Sequence, residues 1–222
     1  MKRANYKKYL IAAFFLCANS ILYAEDNDEL SLIAKVNEFH TVNKDIDMKM
    51  TWDLKGNILE KYSDNSSKIS RPYLTLFDDN VKTNISAKFA VDPTSDMKEI
   101  YLRENVIIIR KEINETRPLK IYTSRAIMHI DKDIIETDQN VTIKTADSNT
   151  SGIGLLANVN EGIITILSQA ERTVTENGKT RKIKGNQMIY NMNTKKWTVK
   201  NKSALVLKDD IKRRVTTIFK TK

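Results

Sequence analysis

The sequence predicts an all-β protein of repeated antiparallel strands, and the main evidence is a short segment that occurs four times. The copies are Asn84–Asp92, Thr123–Asp131, Gly152–Asn160 and Gly185–Asn193. Apolar residues alternate with mixed ones in every copy, as in a strand with one buried face. The copies recur every 30 to 40 residues or so, which predicts stacked β units that bury their apolar faces against each other.

Alignment of the copies on their closing Asp or Asn assigns an inward face to each strand. The inward positions are Phe89 and Val91; Ala126, Met128 and Ile130; Leu155, Ala157 and Val159; and Met188, Tyr190 and Met192. His129 falls on the opposite, mixed face. Methionine and alanine give this stripe a soft, uneven surface that could adapt to a flexible apolar guest. An ordinary hydrophobic core is the alternative.

The amino-terminal residues 1–24 have the pattern of an export signal. Four basic residues precede the apolar run Leu10–Ala24, which is short for a membrane span of about 20 residues but suits a signal peptide cleaved after Ala24. Leu22 is larger than the residue preferred three positions before a cleavage site, so an uncleaved anchor is the alternative. Cys17 is the only cysteine, so we expect no disulfide in the exported part.

The remaining chain divides into a polar segment and one β domain. Residues 25–45 are polar and acidic with a weak apolar stripe, which predicts a tether or a short helix. Strand signals begin near Met48–Leu54, and no linker splits residues 46–222. Asn and Asp supply most of the turns. A second strand is predicted after each copy of the repeat, at Ile100–Leu102, Ile134–Thr137, Ile163–Leu167 and Trp197–Val199. A further apolar strand follows Asn105, Asn140 and Asn201.

The formal net charge of +9 is unevenly distributed along the chain. Residues 9–177 contain 19 basic and 26 acidic side chains, whereas residues 178–222 contain 14 basic ones and only Asp209 and Asp210. A basic segment of this kind indicates an anionic partner; solvated strand faces are the simpler alternative. Nucleic acid is not an expected partner, because the export signal takes the chain away from it.

The sequence contains no catalytic or metal-binding pattern. His40 and His129 lie far apart, and the carboxylate pair Asp131 and Asp133 falls in a turn. No phosphate-binding loop, GxSxG or HExxH pattern is present. A β-helix glycosidase or lyase would align carboxylates on one face, where this chain has apolar residues. We therefore expect no enzyme activity, no metal and no cofactor.

Several stretches, taken in order, resemble the LptC family, the periplasmic component of the lipopolysaccharide transport machinery. They are SRPYLTLF, IYLRENVIII, LKIYTSRAIMHIDKDIIETDQNVTI and SGIGLLANVN, within residues 46–174. The stretch IKGNQMIYNMNTKKWTV, within residues 175–222, is more similar to the closing strands of LptA, the soluble bridge protein with the same OstA-like fold.

This resemblance implies a V-shaped β-jellyroll in the periplasm, either soluble after cleavage or anchored in the inner membrane by residues 9–24. Lipopolysaccharide would arrive from an inner-membrane ABC transporter at the amino-terminal edge. Its acyl chains would contact the inward positions named above. The lipid would then pass to a neighbouring jellyroll that pairs with the carboxy-terminal edge strand. The alternative function is a structural bridge whose edges assemble while its interior conducts nothing.

Overall fold

The structure, a computed structural model, describes residues 30–78, 80–113, 117–176, 179–201 and 217–220. The export signal and the strand predicted after Asn201 lie outside these residues. The described ranges contain fifteen β-strands in one antiparallel sheet, a single 3₁₀ turn at Ile130–Lys132 and no α-helix. The prediction of an all-β, repetitive antiparallel fold is confirmed, and the architecture is that of a β-jellyroll.

The strands are numbered in the order in which they follow one another along the chain. They are β1 Leu32–Lys44, β2 Met50–Tyr62, β3 Ser67–Ser70, β4 Tyr73–Asp78, β5 Val81–Ser86, β6 Phe89–Asp92, β7 Glu99–Glu112, β8 Leu119–His129, β9 Ile134–Lys144, β10 Ser148–Asn158, β11 Ile163–Glu176, β12 Lys179–Gly185, β13 Gln187–Asn191, β14 Lys196–Lys200 and β15 Thr217–Lys220.

The sheet is divided into two walls by its long strands, each of which has one half in either wall. At one end β2 pairs with β3 through residues 58–61 and with β4 through residues 52–55. Farther along, β7 pairs with β6 in one half and with β5 in the other, and β11 pairs with β13 and β12 in the same way. We call the wall with β3, β6, β13, β14 and β15 wall A, and the wall with β4, β5 and β12 wall B.

The crossing between the walls is made by irregular backbone in the middle of each long strand. The register shifts between Arg103 and Val106 in β7, and between Ile153 and Leu155 in β10. Left-handed φ angles occur there at Glu104 (60°), Asn105 (53°) and Gly154 (73°). Asn and Gly adopt this conformation at little cost. The two strands predicted on either side of Asn105 are therefore the halves of one strand, β7.

Residues 25–45 were expected to form a polar tether or a short helix, but Leu32–Lys44 form strand β1. This strand pairs with β2 along its whole length, from Leu32 opposite Tyr62 to Lys44 opposite Met50. Its side chains are mostly exposed, so its sequence lacks the buried alternation that identifies a strand. Backbone pairing with β2, which local sequence does not encode, decides its conformation.

Gly154 is a position where the crossing depends on the absence of a side chain. Its φ is +73°, and a Cβ atom there would lie 3.0 Å from Cδ1 of Leu167 on β11. Any other residue would therefore make a close contact across the strand pair, and most residues other than Asn would also strain the backbone.

We expect Gly154→Ala to lower the free energy of unfolding by about 1–2 kcal/mol, because it adds left-handed strain. Urea denaturation measures this loss. Ser151→Ala is the control, since Ser151 is exposed on the same strand and should change stability by less than about 0.5 kcal/mol. Equal stability of the two variants would show that the crossing tolerates a side chain.

Candidate functional site

The inner face of wall A contains the predicted apolar stripe of the second, third and fourth copies. The residues with 0–6% of their surface exposed are Ala126, Met128, Leu155, Ala157, Met188, Tyr190 and Met192. Ile130 and Val159 are partly buried and pack against this cluster. The structure therefore brings these nine residues together in the interior, and their contact with a lipid remains a prediction.

In the first copy the inward assignment of Phe89 and Val91 was wrong by one residue. The buried residues of β6 are Ala90 and Asp92, each 2% exposed, and Ala90 lies opposite Leu102 on the inner face of β7. Phe89 faces outward, with the ammonium groups of two lysines 5.1 and 5.2 Å from its ring centre.

The carboxylate of Asp92 explains the shifted register. Its Oδ1 accepts hydrogen bonds from the backbone N–H groups of Thr94 (3.1 Å) and Ser95 (2.7 Å), and its Oδ2 accepts one from Met97 (2.9 Å). Asp92 must point inward to cap this loop, whereas Asp131, which closes the second copy, is exposed. Alignment on the closing residue could not distinguish these two roles.

Wall B contributes a second apolar surface, which becomes polar towards the carboxy-terminal end of the sheet. Its buried side chains include Ile85, Val106, Ile108, Ile121, Val141 and Ile143. Arg172 on β11 is only 2% exposed. Its Nη2 lies 3.2 Å from Oδ2 of Asp147, and its guanidinium lies 5.4 Å from the ring centre of Trp197 in wall A. Arg172 thus connects the inner faces of the two walls.

A cavity of about 790 Å³ adjoins the apolar stripe where the strands cross between the walls. Its lining includes Leu102, Ala126 and Leu155 from the buried face, together with Leu156 and Leu167, which are 40% and 46% exposed. The cavity therefore connects the stripe to exposed apolar surface at the bend.

Charged side chains surround this cavity on the outside of the sheet. Arg125 Nη2 lies 2.7 Å from Oδ2 of Asp138, and hydrogen bonds from Arg125 and then from Gln139 lower the pKa of Asp138 to about 2. The pair is therefore charged throughout the neutral range. His129 also faces outward, as predicted, between the carboxylates of Glu99 and Glu136.

The rims of the two walls meet at an ion pair. Lys195, in the turn between β13 and β14 of wall A, places its Nζ 2.5 Å from Oε1 of Glu112 at the wall B end of β7. A second cavity, of about 240 Å³, opens beside this pair. In the described part of the chain, the rims are joined by side chains and not by strand pairing.

Both ends of the sheet present edge strands. At the amino-terminal end, β1 pairs only with β2 among the described strands and exposes apolar side chains, including Ile33 (61%), Val36 (46%) and Val42 (41%). At the other end, β12 pairs only with β11 in these residues and carries four cations in the stretch KTRKIKG. Edges of this kind are suited to pairing with another chain.

The described residues contain no cluster of His, Cys, Asp and Glu side chains that could hold a metal ion. They also include no helix long and apolar enough to cross a membrane.

These features define a class of protein: a two-walled, jellyroll-like β protein with an apolar interior and an edge strand at each end of the described sheet. The model of the LptC family, described as lipopolysaccharide-assembly, LptC-related, matches residues 10–176. The chain belongs to this family. Members of the family are periplasmic, inner-membrane-associated components of lipopolysaccharide transport, and the family is not one of enzymes. No curated protein matches the chain.

Two features of the site were not predicted from the sequence, although signals for both are present. Asp92 precedes Pro93 and two hydroxyl residues, a pattern typical of an Asp-capped turn. Arg172 lies an even number of residues after Ile164 and Ile166 on β11. Strict alternation along the strand would therefore have placed it on the same, inner face.

We expect Asp92→Ala to lower the free energy of unfolding by about 1–3 kcal/mol, because three backbone N–H groups lose their acceptor. Asp131→Ala is the matched control and should cost less than about 0.5 kcal/mol. The measurement is the midpoint of urea denaturation. Equal midpoints would contradict the capping role of Asp92.

Proposed function

We propose that this protein accepts lipopolysaccharide from an inner-membrane ABC transporter and passes it towards the outer membrane between its two walls. The observation that carries the proposal is the continuous apolar interior of a chain that belongs to the LptC family. Acyl chains are the part of the lipid that matches such an interior.

The chemistry of the two inner faces supports a passage for acyl chains. Each buried methylene contributes about 0.8 kcal/mol, so a lipid with several acyl chains would not leave the interior for water. Neighbouring strands offer similar apolar surfaces along the sheet. A chain could therefore move from strand to strand at little net cost, while ATP hydrolysis in the transporter would set the direction.

Entry of lipid requires the walls to separate, because the stripe beyond the cavity at the bend is closed in this structure, where Met128 is 4% and Met188 0% exposed. The contacts that would have to open include the Lys195–Glu112 ion pair and the cation–π contact of Arg172 with Trp197. Methionine residues supply much of wall A's inner face, and their flexible side chains could repack around a guest.

The edge strands support assembly with neighbouring proteins. In this proposal, β1 pairs with the transporter and the carboxy-terminal edge pairs with the next jellyroll, which extends the sheet from one protein to the next. The exposed apolar side chains of β1 would be buried by such pairing.

A photo-crosslinking amino acid at Met128 tests whether lipid enters the interior. The experiment uses cells that make lipopolysaccharide, and His129, the adjacent outward residue of β8, is the control position. We expect a lipid adduct at Met128 and none at His129. Adducts at neither position, in a correctly folded and exported protein, would contradict passage through the interior.

A structural bridge is the second candidate function, and the closed interior combined with the open edges favours it. In that case the edges would join neighbouring proteins while the buried stripe served only as a core. The absence of adducts at Met128, together with intact assembly, would support this alternative.

We expect a double variant, Val36→Lys with Val42→Lys, to fold normally but to lose association with the transporter. Both residues are exposed on β1, and charges on an edge strand oppose edge-to-edge pairing. Copurification of the tagged protein with the transporter measures the loss. Leu156→Lys is the control, because Leu156 is exposed on a central strand. Retained association of the double variant would exclude β1 as the docking edge.

A further inference from the structure

The smaller cavity lies between the rims of the two walls and is lined by three cationic side chains. Arg110, Arg117 and Lys195 line it together with two carboxylates, Glu112 and Asp147. The Nζ of Lys195 lies 2.5 Å from Oε1 of Glu112. Asp147 accepts hydrogen bonds from Arg172 (3.2 Å) and from the hydroxyl of Thr145 (2.7 Å). The two carboxylates therefore already have partners, whereas neither Arg110 nor Arg117 forms an ion pair within the described residues.

Arg110 is placed in this cavity by the alternation of β7. Val106 and Ile108 point inward and are 1% and 4% exposed, and Arg110 is the next inward position on the same strand. Its Nε is buried and has no hydrogen-bond partner among the described residues. Arg117 Nη1 donates a hydrogen bond to the carbonyl of Ala146 (3.2 Å), which holds its guanidinium beside the same opening.

We propose that this cavity binds a phosphate group, carried by the lipid cargo, an inference that rests on the proposed function. A phosphate group carries up to two negative charges and several acceptor oxygens, which two guanidinium groups match by paired hydrogen bonds. Arg110 lines the cavity, and a phosphate group there would balance the charge of its guanidinium.

The apolar part of the lining favours a phosphorylated lipid over free phosphate. Leu119, Tyr190 and Met192 line the same cavity, and the last two are also the final residues of the apolar stripe. A ligand held here by its phosphate would therefore have its apolar part directed along the interior. The site would fix the position of the headgroup at the rim while the acyl chains lie between the walls.

Inorganic phosphate is the first probe, titrated into the protein at constant ionic strength while the arginine Nε–H signals are followed by NMR. We expect the Arg110 signal to shift, and Arg110→Gln to weaken phosphate binding about tenfold, as loss of a charged hydrogen bond implies. Lys111→Gln is the matched control, because Lys111 is the adjacent, exposed cation on the opposite face of β7. Equal phosphate binding by the two variants would overturn the proposal.

A pair of lipids separates this inference from the proposed function. The probes are an acylated glucosamine disaccharide with its phosphates and the same lipid with its phosphates removed. We expect the wild-type protein to bind the phosphorylated lipid about tenfold more tightly, and a double variant, Arg110→Gln with Arg117→Gln, to bind both alike. Equal binding of both lipids by the wild type would overturn the phosphate site and leave lipid transport standing. Phosphate binding through Arg110 without binding of either lipid would support the site and contradict lipid transport.

Discussion

The crossing of each long strand from one wall to the other is the constraint on which this structure depends. A regular β-strand cannot pass from one wall into the other without bending, so a few irregular residues must change the direction of the backbone. Asn105 and Gly154 do so with left-handed φ angles, which Asn and Gly adopt at little cost. Because neighbouring strands cross in line, their irregular residues form a continuous bend, and the two walls face each other along it.

The interior follows from that bend. Each long strand has inward side chains in both of its halves, before and after the crossing. The apolar residues of both walls therefore form one cluster. Charged residues also lie at the rims, where the strands turn. Lys195 and Glu112 join the rims, and Arg172 lies just inside them against Trp197. The result is an apolar space with a charged border. The space matches the apolar part of an amphipathic ligand, and the border matches its polar part.

Membership of the LptC family and this division of the surface lead to the same proposal from different directions. The family places the chain in lipopolysaccharide transport, whereas the geometry separates an apolar interior from a basic cavity at the rim. The edge strands supply a third element, since β1 pairs only with β2 among the described strands and exposes apolar side chains. The proposed transport and the proposed bridging would therefore use different parts of the molecule, and variants at Met128, Val36 and Arg110 can test them independently.

The sequence by itself determined the all-β fold and the inner face of three of the four repeats, because alternation along a strand is a local property. It could not determine the register of β6, which depends on the loop that Asp92 caps, or the strand conformation of β1, which depends on pairing with β2. Nor could it bring Arg110 beside Lys195 at the rim, since these residues are distant in the chain and meet only when the walls face each other. Only the tertiary structure decides such contacts, because they are set by the packing of the walls and not by any local pattern.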